Sequence, residues 1–464
     1  MIVLKQKDNI FFTTRKVKGM YSFMLEAMKR HAEDDLKKKL NYLEYSYNSK
    51  FSLKLIYHLL RTIFKTNFLE NHKFSKYKLY NCELGRHVVA NSYTSYNSHF
   101  NNFFFFYSKI KNLIVSINIL LDIRVYEKNI KAIYIDHGLF LNGIIINYFS
   151  NKNKIIYSNN YPRGIFFKPK KYNVQLSYEN FLKIRYNSKL KLKLKDKNLI
   201  TKKLKQSVKN PTNFYPWMRQ KMFKKFKKNK IKDAKYLIYC HAFTDAQLQF
   251  GYDELVTLEE WLKFTLHHLS KNNSKIIVKS HPNFNKYNKY FRSKLEVEIF
   301  EKIKKEYADN KNIIFMSDPI KNFELLKELE NKKTILITHH GTSIIEGAFL
   351  NFKFISFEKN FWSKEFELTN TWKNKKEYKE LLNKNINKLK YPNNNDLFKL
   401  CYNIYLNDAR YAGKNYYVNK ISKTFNVNKE KIINRTIELQ NFNKNNSNHV
   451  KLVDDLKNNM DSII

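Results

Sequence analysis

Between residues 235 and 357 short apolar runs alternate with helical patterns, and that alternation confines the segment to β-α-β units on a parallel sheet. The spacing predicts strands over 236–240, 275–279, 313–316, 334–338 and 353–357. Between the first two, Leu255, Leu258, Leu262, Leu266 and Leu269 recur at helical spacing, and Thr257 with Glu260 forms a capping box. Further helices are predicted over 287–307, 322–330 and 343–350. This half reads as a Rossmann-like domain.

The preceding half carries a less regular α/β pattern, with strands expected over 87–90, 131–135 and 154–157. The run Phe103-Phe104-Phe105-Phe106-Tyr107 opens a helix-like apolar stretch through Leu121 and is assigned to the core. Between the halves, residues 168–235 hold 23 Lys or Arg against three acidic residues. A solvated linker is the plain reading of that segment, and a surface for anionic lipid or an anionic acceptor is the functional one. Within it, the alternation over 189–195 suits a strand with one basic face. After Tyr391, helices are expected over 397–406 and 429–439, bracing the domain interface. The expected units are 1–167, a basic interdomain segment 168–234, a Rossmann-like domain 235–395, and helices and tail over 396–464.

Composition removes several functions. Among 464 residues there are nine glycines, no two separated by a single residue, so G-x-G-x-x-G is absent, and no phosphate loop G-x-x-x-x-G-K occurs either. Glycine this scarce is expected where the backbone needs it. The three cysteines lie far apart, which argues for buried free thiols in a reducing compartment rather than a disulfide framework or structural zinc. The N-terminus has no apolar signal region and the longest apolar runs are interrupted by polar residues, so a cytoplasmic chain without a spanning helix is expected. The net charge of +45 raises nucleic-acid binding as a rival, with the aromatics of the basic segment as stacking surfaces, but no nucleic-acid motif accompanies it.

The chemistry-bearing residues sit at the C-terminal ends of predicted strands, where open α/β sheets bind ligands. One strand ends in Ser280-His281-Pro282. Another ends in His339-His340-Gly341-Thr342-Ser343, directly before a helix containing Glu346. A helix start with hydroxyls and a glycine can receive a phosphate, although Gly-Thr-Ser before a helix also serves as a plain cap. His281 could donate to a phosphoryl oxygen or act as general acid. In the first half, Asp136-His137-Gly138 follows a strand and offers either an Asp-capped turn or a base for an acceptor hydroxyl. His241 and Asp245 follow the first strand of the second half and either contact ligand in the same crevice or hold the interdomain loop, and Arg163 and Arg86, beside rare glycines, suit contacts to a phosphate or acceptor. No Asp-x-Asp, H-E-x-x-H or G-x-S-x-G occurs.

Asp136-His137-Gly138, then His241-Ala-Phe-Thr-Asp245-Ala, Lys279-Ser-His281-Pro282 and Thr338-His-His-Gly-Thr-Ser343-Ile-Ile-Glu346-Gly-Ala, with Phe354-Ile-Ser-Phe357, resemble the bacterial capsule and surface-polysaccharide glycosyltransferases. Polysialyltransferases and teichoic-acid glycerophosphotransferases are more distant relatives of that pattern. The resemblance spans about residues 85–357, and it implies an α/β, GT-B-like fold in which two Rossmann-like domains face each other across a cleft, followed by C-terminal helices. It implies that Ser280, His281, Pro282, His339, His340, Gly341, Thr342 and Ser343 hold a donor's phosphate, with Glu346 near the ribose or base. Asp136 or His137 would be the acceptor-side base. The doubled histidine departs from the relatives and leaves open which ring faces the nucleotide.

The resulting expectation is a metal-independent glycosyltransferase of surface-polysaccharide assembly, without cofactor. Its substrate would be a nucleotide-activated sugar, leaning to a cytidine nucleotide with uridine-linked donors also open. Its acceptor would be a glycan, lipid-linked at the inner face of the cytoplasmic membrane, which the basic segment 168–235 could touch. The alternatives are a nucleic-acid-binding protein and a non-catalytic partner in polysaccharide assembly.

Overall fold

The computed structural model describes residues 9–14, 25, 29, 32–33, 36–47, 51–93, 102–135, 140–149, 152, 155–158, 191–209, 231–244, 248, 254–255, 257–281, 284, 291–318, 320–360, 363 and 366–405. They form two all-parallel sheets. The first holds β1 (Ile10–Thr13), β2 (Asn41–Glu44), β3 (Ile130–Ile135) and β4 (Ile155–Ser158) in the order β2-β1-β3-β4. Its helices are α1 (Leu53–Lys65), α2 (Asn71–Phe74), α3 (Leu84–Ser92), α4 (Asn102–Tyr126) and α5 (Phe140–Phe149).

The second sheet is built from β5 (Tyr236–Tyr239), β6 (Ile276–Lys279), β7 (Ile313–Met316), β8 (Ile335–Thr338), β9 (Lys353–Phe357) and β10 (Asn370–Trp372). Its order is β10-β9-β8-β5-β6-β7, all parallel. Counted from β5, this is the doubly wound order 3-2-1-4-5-6, and its direction reverses between β5 and β8. Side chains alternate across the sheet. Tyr236 and Ile238 enter one core with Leu262, Leu266, Ile299 and Trp372, whereas Leu237 and Tyr239 enter the other with Ile200, Leu336, Ile345 and Leu400. Burial on both faces is why these strands read as continuous apolar runs.

Around this sheet lie α6 (Leu194–Lys209), α7 (Leu258–Ser270), α8 (Phe291–Glu306), α9 (Asn322–Lys327), α10 (Ser343–Phe349), α11 (Lys375–Asn383) and α12 (Asn394–Tyr405). The Thr257 hydroxyl accepts from the Glu260 amide at 2.9 Å and starts α7 at the expected cap. At its far end α10 gives way to Asn351, left-handed at φ 60°, where asparagine is tolerated, and the chain turns into β9.

Several expectations are corrected. Residues 87–90 lie in the helix α3, because Leu84, Val88, Asn91 and Ser92 recur on one buried face. The alternating run 189–195 is no strand from residue 191 on: α6 starts at Leu194, and its Ile200 and Leu204 are fully buried in the second core. This part of the basic segment is thus structural rather than linker. The helix α12 packs its Leu397, Leu400 and Cys401 into that same core instead of bracing a domain interface, and residues 429–439 lie outside the described residues. The aromatics opening α4 are not core, since Phe103, Phe104, Phe106 and Tyr107 are exposed. The helix α4 is also long and apolar enough to cross a membrane, while Leu113, Ile117, Leu120 and Ile123 are buried in the first core. The three cysteines are buried free thiols.

The two halves touch beside the switch point. Leu248, from the segment after β5, packs into the first core, and the carboxylates of Glu260 and Glu259 lie near Tyr93.

Candidate functional site

The reversal of sheet order between β5 and β8 opens a crevice at their C-terminal ends. Three chain segments emptying into it each deliver histidine. β5 runs out through Cys240 into His241, β6 through Lys279 and Ser280 into His281, and β8 through Thr338 into His339 and His340. β5 lies between β6 and β8, so the strand ends bearing His281 and His339-His340 flank a third. His241 fills the middle: its ring centroid lies 3.8 Å from that of His340 and 5.5 Å from that of His281.

The doubled histidine has two different environments. His339 is surrounded by the rings of Phe357, Trp261 and Trp372, with centroids 5.0, 5.8 and 5.9 Å away. Its carbonyl accepts from the Phe357 amide at 3.2 Å. The His340 ring instead lies against His241, and its Nδ1 meets the Nδ1 of His339 at 2.7 Å. One of those nitrogens must donate and the other accept, so His339 orients His340. His340 is the one of the pair that faces the crevice.

Burial, followed by the neighbouring His241, holds His340 and His281 well below the usual imidazole range. His339 adds to the effect on His340 and Lys279 to that on His281. Both rings are therefore neutral at pH 7 and keep one N–H to give and one nitrogen to accept.

The loop after β8 is fixed by packing. The Thr338 hydroxyl accepts from the Gly341 amide at 3.1 Å. A Cβ on Gly341 would stand 2.7 Å from that hydroxyl, and one on Gly347 would stand 2.2 Å from the Phe354 ring. Glycine is needed at both positions for α10 to lie flush on the sheet. Thr342 makes no side-chain cap bond, and the buried Ser343 hydroxyl has no hydrogen-bond partner among the described residues. The plain capping reading thus does not account for either hydroxyl.

Beneath the histidines lies a polar floor that sequence reasoning missed in part. Glu346 accepts from the Asn322 side-chain amide, with Lys279 and Tyr239 close by. Burial pushes the Glu346 carboxyl up and the Lys279 ammonium down, each moderated by the other's charge. Ser280 turns out to be structural, since its hydroxyl donates to the Ser317 carbonyl at 3.1 Å and ties β6 to β7. A second missed residue is Glu296 on α8. Its carboxylate accepts from the Phe243 amide at 2.5 Å and the Thr244 amide at 2.9 Å, and from the Thr244 hydroxyl, clamping the loop that begins at His241. The signal was available, because Glu296 falls on the same helix face as Leu295, Ile299, Phe300 and Ile303. Asp136, His137, Arg163, Asp245 and Pro282 lie outside the described residues. Among the described residues, no group of three or more His, Cys, Asp or Glu is arranged to hold a metal ion.

No family model matches the chain, and no curated protein matches it. Among solved structures it is similar to a β-Kdo 2,4 transferase, KpsC of Thermosulfurimonas dismutans. That match has 12% identity over 59% of this chain and 80% of that one, with a TM-score of 0.34. It is also similar to Methanocaldococcus jannaschii UDP-GlcNAc 2-epimerase in complex with UDP-GlcNAc and UDP. There the identity is 14% over 84% of this chain and 96% of that one, with a TM-score of 0.28. What the chain itself shows is two parallel α/β sheets, the second of them doubly wound. At these identities and scores the function of neither protein transfers to it.

Proposed function

We propose that the protein is a glycosyltransferase that moves a sugar from a nucleotide-activated donor onto a growing surface polysaccharide. The observation that carries this reading is the meeting of His241, His281 and His340 at the switch point of a doubly wound sheet, two of them held neutral. Such a crevice is where these sheets receive nucleotides. A neutral imidazole there can donate a hydrogen bond to a phosphoryl oxygen without repelling a neighbouring ring.

In this reading His340 and His281 bind the donor's phosphate, and the amides after Gly341 add donors toward the same oxygens. His281 stabilises the nucleotide as it departs. The acceptor-side base is Asp136 or His137, brought by the first domain. The Asp-x-Asp dyad that binds a nucleotide-sugar through a divalent cation is absent from the sequence, so the imidazoles take over charge stabilisation and transfer proceeds without added metal. The cytidine-linked donors suggested by the motif resemblance come first among those to test.

The test is transfer, or slow donor hydrolysis, with a panel of cytidine- and uridine-linked sugars. His281→Ala should abolish turnover of the preferred donor while the protein stays folded. Undiminished turnover in that variant would remove His281 from the site. Absence of nucleotide binding in the wild type would remove the reading itself.

A further inference from the structure

The helix α1 is built inside out. Its inner face buries Leu55 together with the polar His58 and Thr62, which bond to the hydroxyls of Tyr80 (2.7 Å) and Tyr77 (3.2 Å). Its outer face carries Leu53, Ile56, Tyr57, Leu60 and Phe64, all exposed, with Leu53 at 87% and Phe64 at 80%. Those positions are i, i+3, i+4, i+7 and i+11, one continuous stripe. An amphipathic helix on a globular domain normally turns that stripe inward.

The apolar surface continues past the helix. Leu69 is 78% exposed, and the first two turns of α4 present Phe103, Phe104, Phe106 and Tyr107. A buried cation staples the two parts together. Lys109 of α4 donates to the Asn71 side chain at 2.7 Å and to the Phe68 carbonyl, and sits 4.5 and 4.7 Å from the ring centroids of Phe68 and Phe74. Phe106 also packs on Phe68, with centroids 6.0 Å apart. The outward display is thus fixed by packing beneath it.

Charge identifies the occupant. Lys54, Arg61 and Lys65 are exposed on α1, and residues 51–69 contain no Asp or Glu. Nor do residues 102–121. A second copy of this chain would bring the same cations against the same patch and be repelled. An apolar stripe flanked by cations, with the neighbouring Glu70 paired to Lys73 at 2.8 Å, matches the interface of an anionic bilayer, where apolar side chains enter the acyl boundary and Lys and Arg meet headgroups.

We infer that the outer face of α1, extended by Leu69 and the first turns of α4, docks the protein on the surface of an anionic lipid bilayer. This surface belongs to the first domain and lies outside the basic segment 168–235. It is independent of the reaction proposed above.

The test is flotation of the full chain with vesicles of phosphatidylcholine alone and of phosphatidylcholine mixed with phosphatidylglycerol. Wild type should float with the mixed vesicles and not with the neutral ones. Leu53→Asp with Phe64→Asp should cut the bound fraction at least about tenfold, since each removes an apolar side chain from the interface. Both residues are exposed, so the thermal unfolding midpoint should not move. In a separate variant, Phe64→Trp, acyl-brominated lipids should quench the added fluorescence. The inference fails if the double variant floats like wild type, which would assign binding to the untouched basic segment. It also fails if the new tryptophan stays unquenched on vesicles, or if the wild type is a dimer that the double variant dissolves.

Discussion

The rings of His241 and His340 lie 3.8 Å apart, centroid to centroid, across the point where the strand order of the second sheet reverses. Two imidazoles so close cannot both carry protons cheaply, and burial of His340 adds to that penalty. In the proposed reading, His340 therefore offers a phosphate a directed N–H from a neutral ring.

The doubled histidine should divide its labour in a way that substitution resolves. His339→Ala removes a ring packed among Trp261, Phe357 and Trp372 and should cost about 1–3 kcal/mol of stability. His340→Ala also removes a buried ring and should cost some stability, but it alone of the two should abolish nucleotide binding. Calorimetric titration beside thermal unfolding separates the two, and the opposite pattern would reverse the assignment.

Stability should depend on pH through His281 and His340. Both folded-state values lie well below the ordinary one, chiefly from burial and then from His241. The unfolded chain then binds more protons, so their contribution is complete above the unfolded value of about 6.5 and is lost as pH falls from there toward the folded values. Each group should add up to about 1.4 kcal/mol per pH unit to the slope between pH 6.5 and 5. Denaturant unfolding of wild type and of the His281→Gln, His340→Gln double variant should show the flatter dependence in the variant. Parallel curves would contradict the assignment.

Glu296 should act on nucleotide affinity without touching the nucleotide. Glu296→Ala leaves the buried amides of Phe243 and Thr244 without their acceptor and should cost about 2–4 kcal/mol, with weaker binding as the His241 loop loosens. Glu296→Gln keeps an acceptor for only one of the two sites and sets its NH2 against the other amide, so it should restore only part of both. If the alanine variant binds nucleotide like wild type, the loop is positioned by other contacts.

Packing of α10 gives a cleaner structural test. Gly347→Ala drives a Cβ to within 2.2 Å of the Phe354 ring and should destabilise by about 1–3 kcal/mol. Adding Phe354→Leu should recover part of the loss, as measured by thermal unfolding. A neutral Gly347→Ala would mean that α10 can lift from the sheet.

Much of the second domain was legible because parallel strands buried on both faces leave unmistakable apolar runs. His241, His281 and the His339–Ser343 loop could be located at their ends before any coordinates. Strand order was not legible. Nothing local in the sequence says that β5 inserts between β6 and β8, so His241 stays open there between a ligand contact and a loop-holding role. The strands Ile10–Thr13 and Asn41–Glu44 were missed because they lie outside the regular strand–helix alternation that marks the equally short strands of the second sheet. In α3 the β-branched pair Val88-Val89 suggested a strand, and tertiary packing of a helical face overrode it. Lys279 and Asn322 became meaningful only through contacts between separate β-α units, whereas Glu296 stood out as an acid on an apolar helix face. The exposed aromatics of α4 ran against the general rule that large apolar side chains are interior.

The most direct test of the central claim is a thermal-shift panel of CMP, CDP, UDP and GDP on wild type and on His340→Ala, since a ligand bound by the native state alone raises the midpoint by mass action. At least one nucleotide should raise the wild-type midpoint in a concentration-dependent way, and the same nucleotide should leave His340→Ala unmoved. A wild type indifferent to all four, or a variant that shifts as wild type does, would contradict a nucleotide site at the β5–β8 crevice.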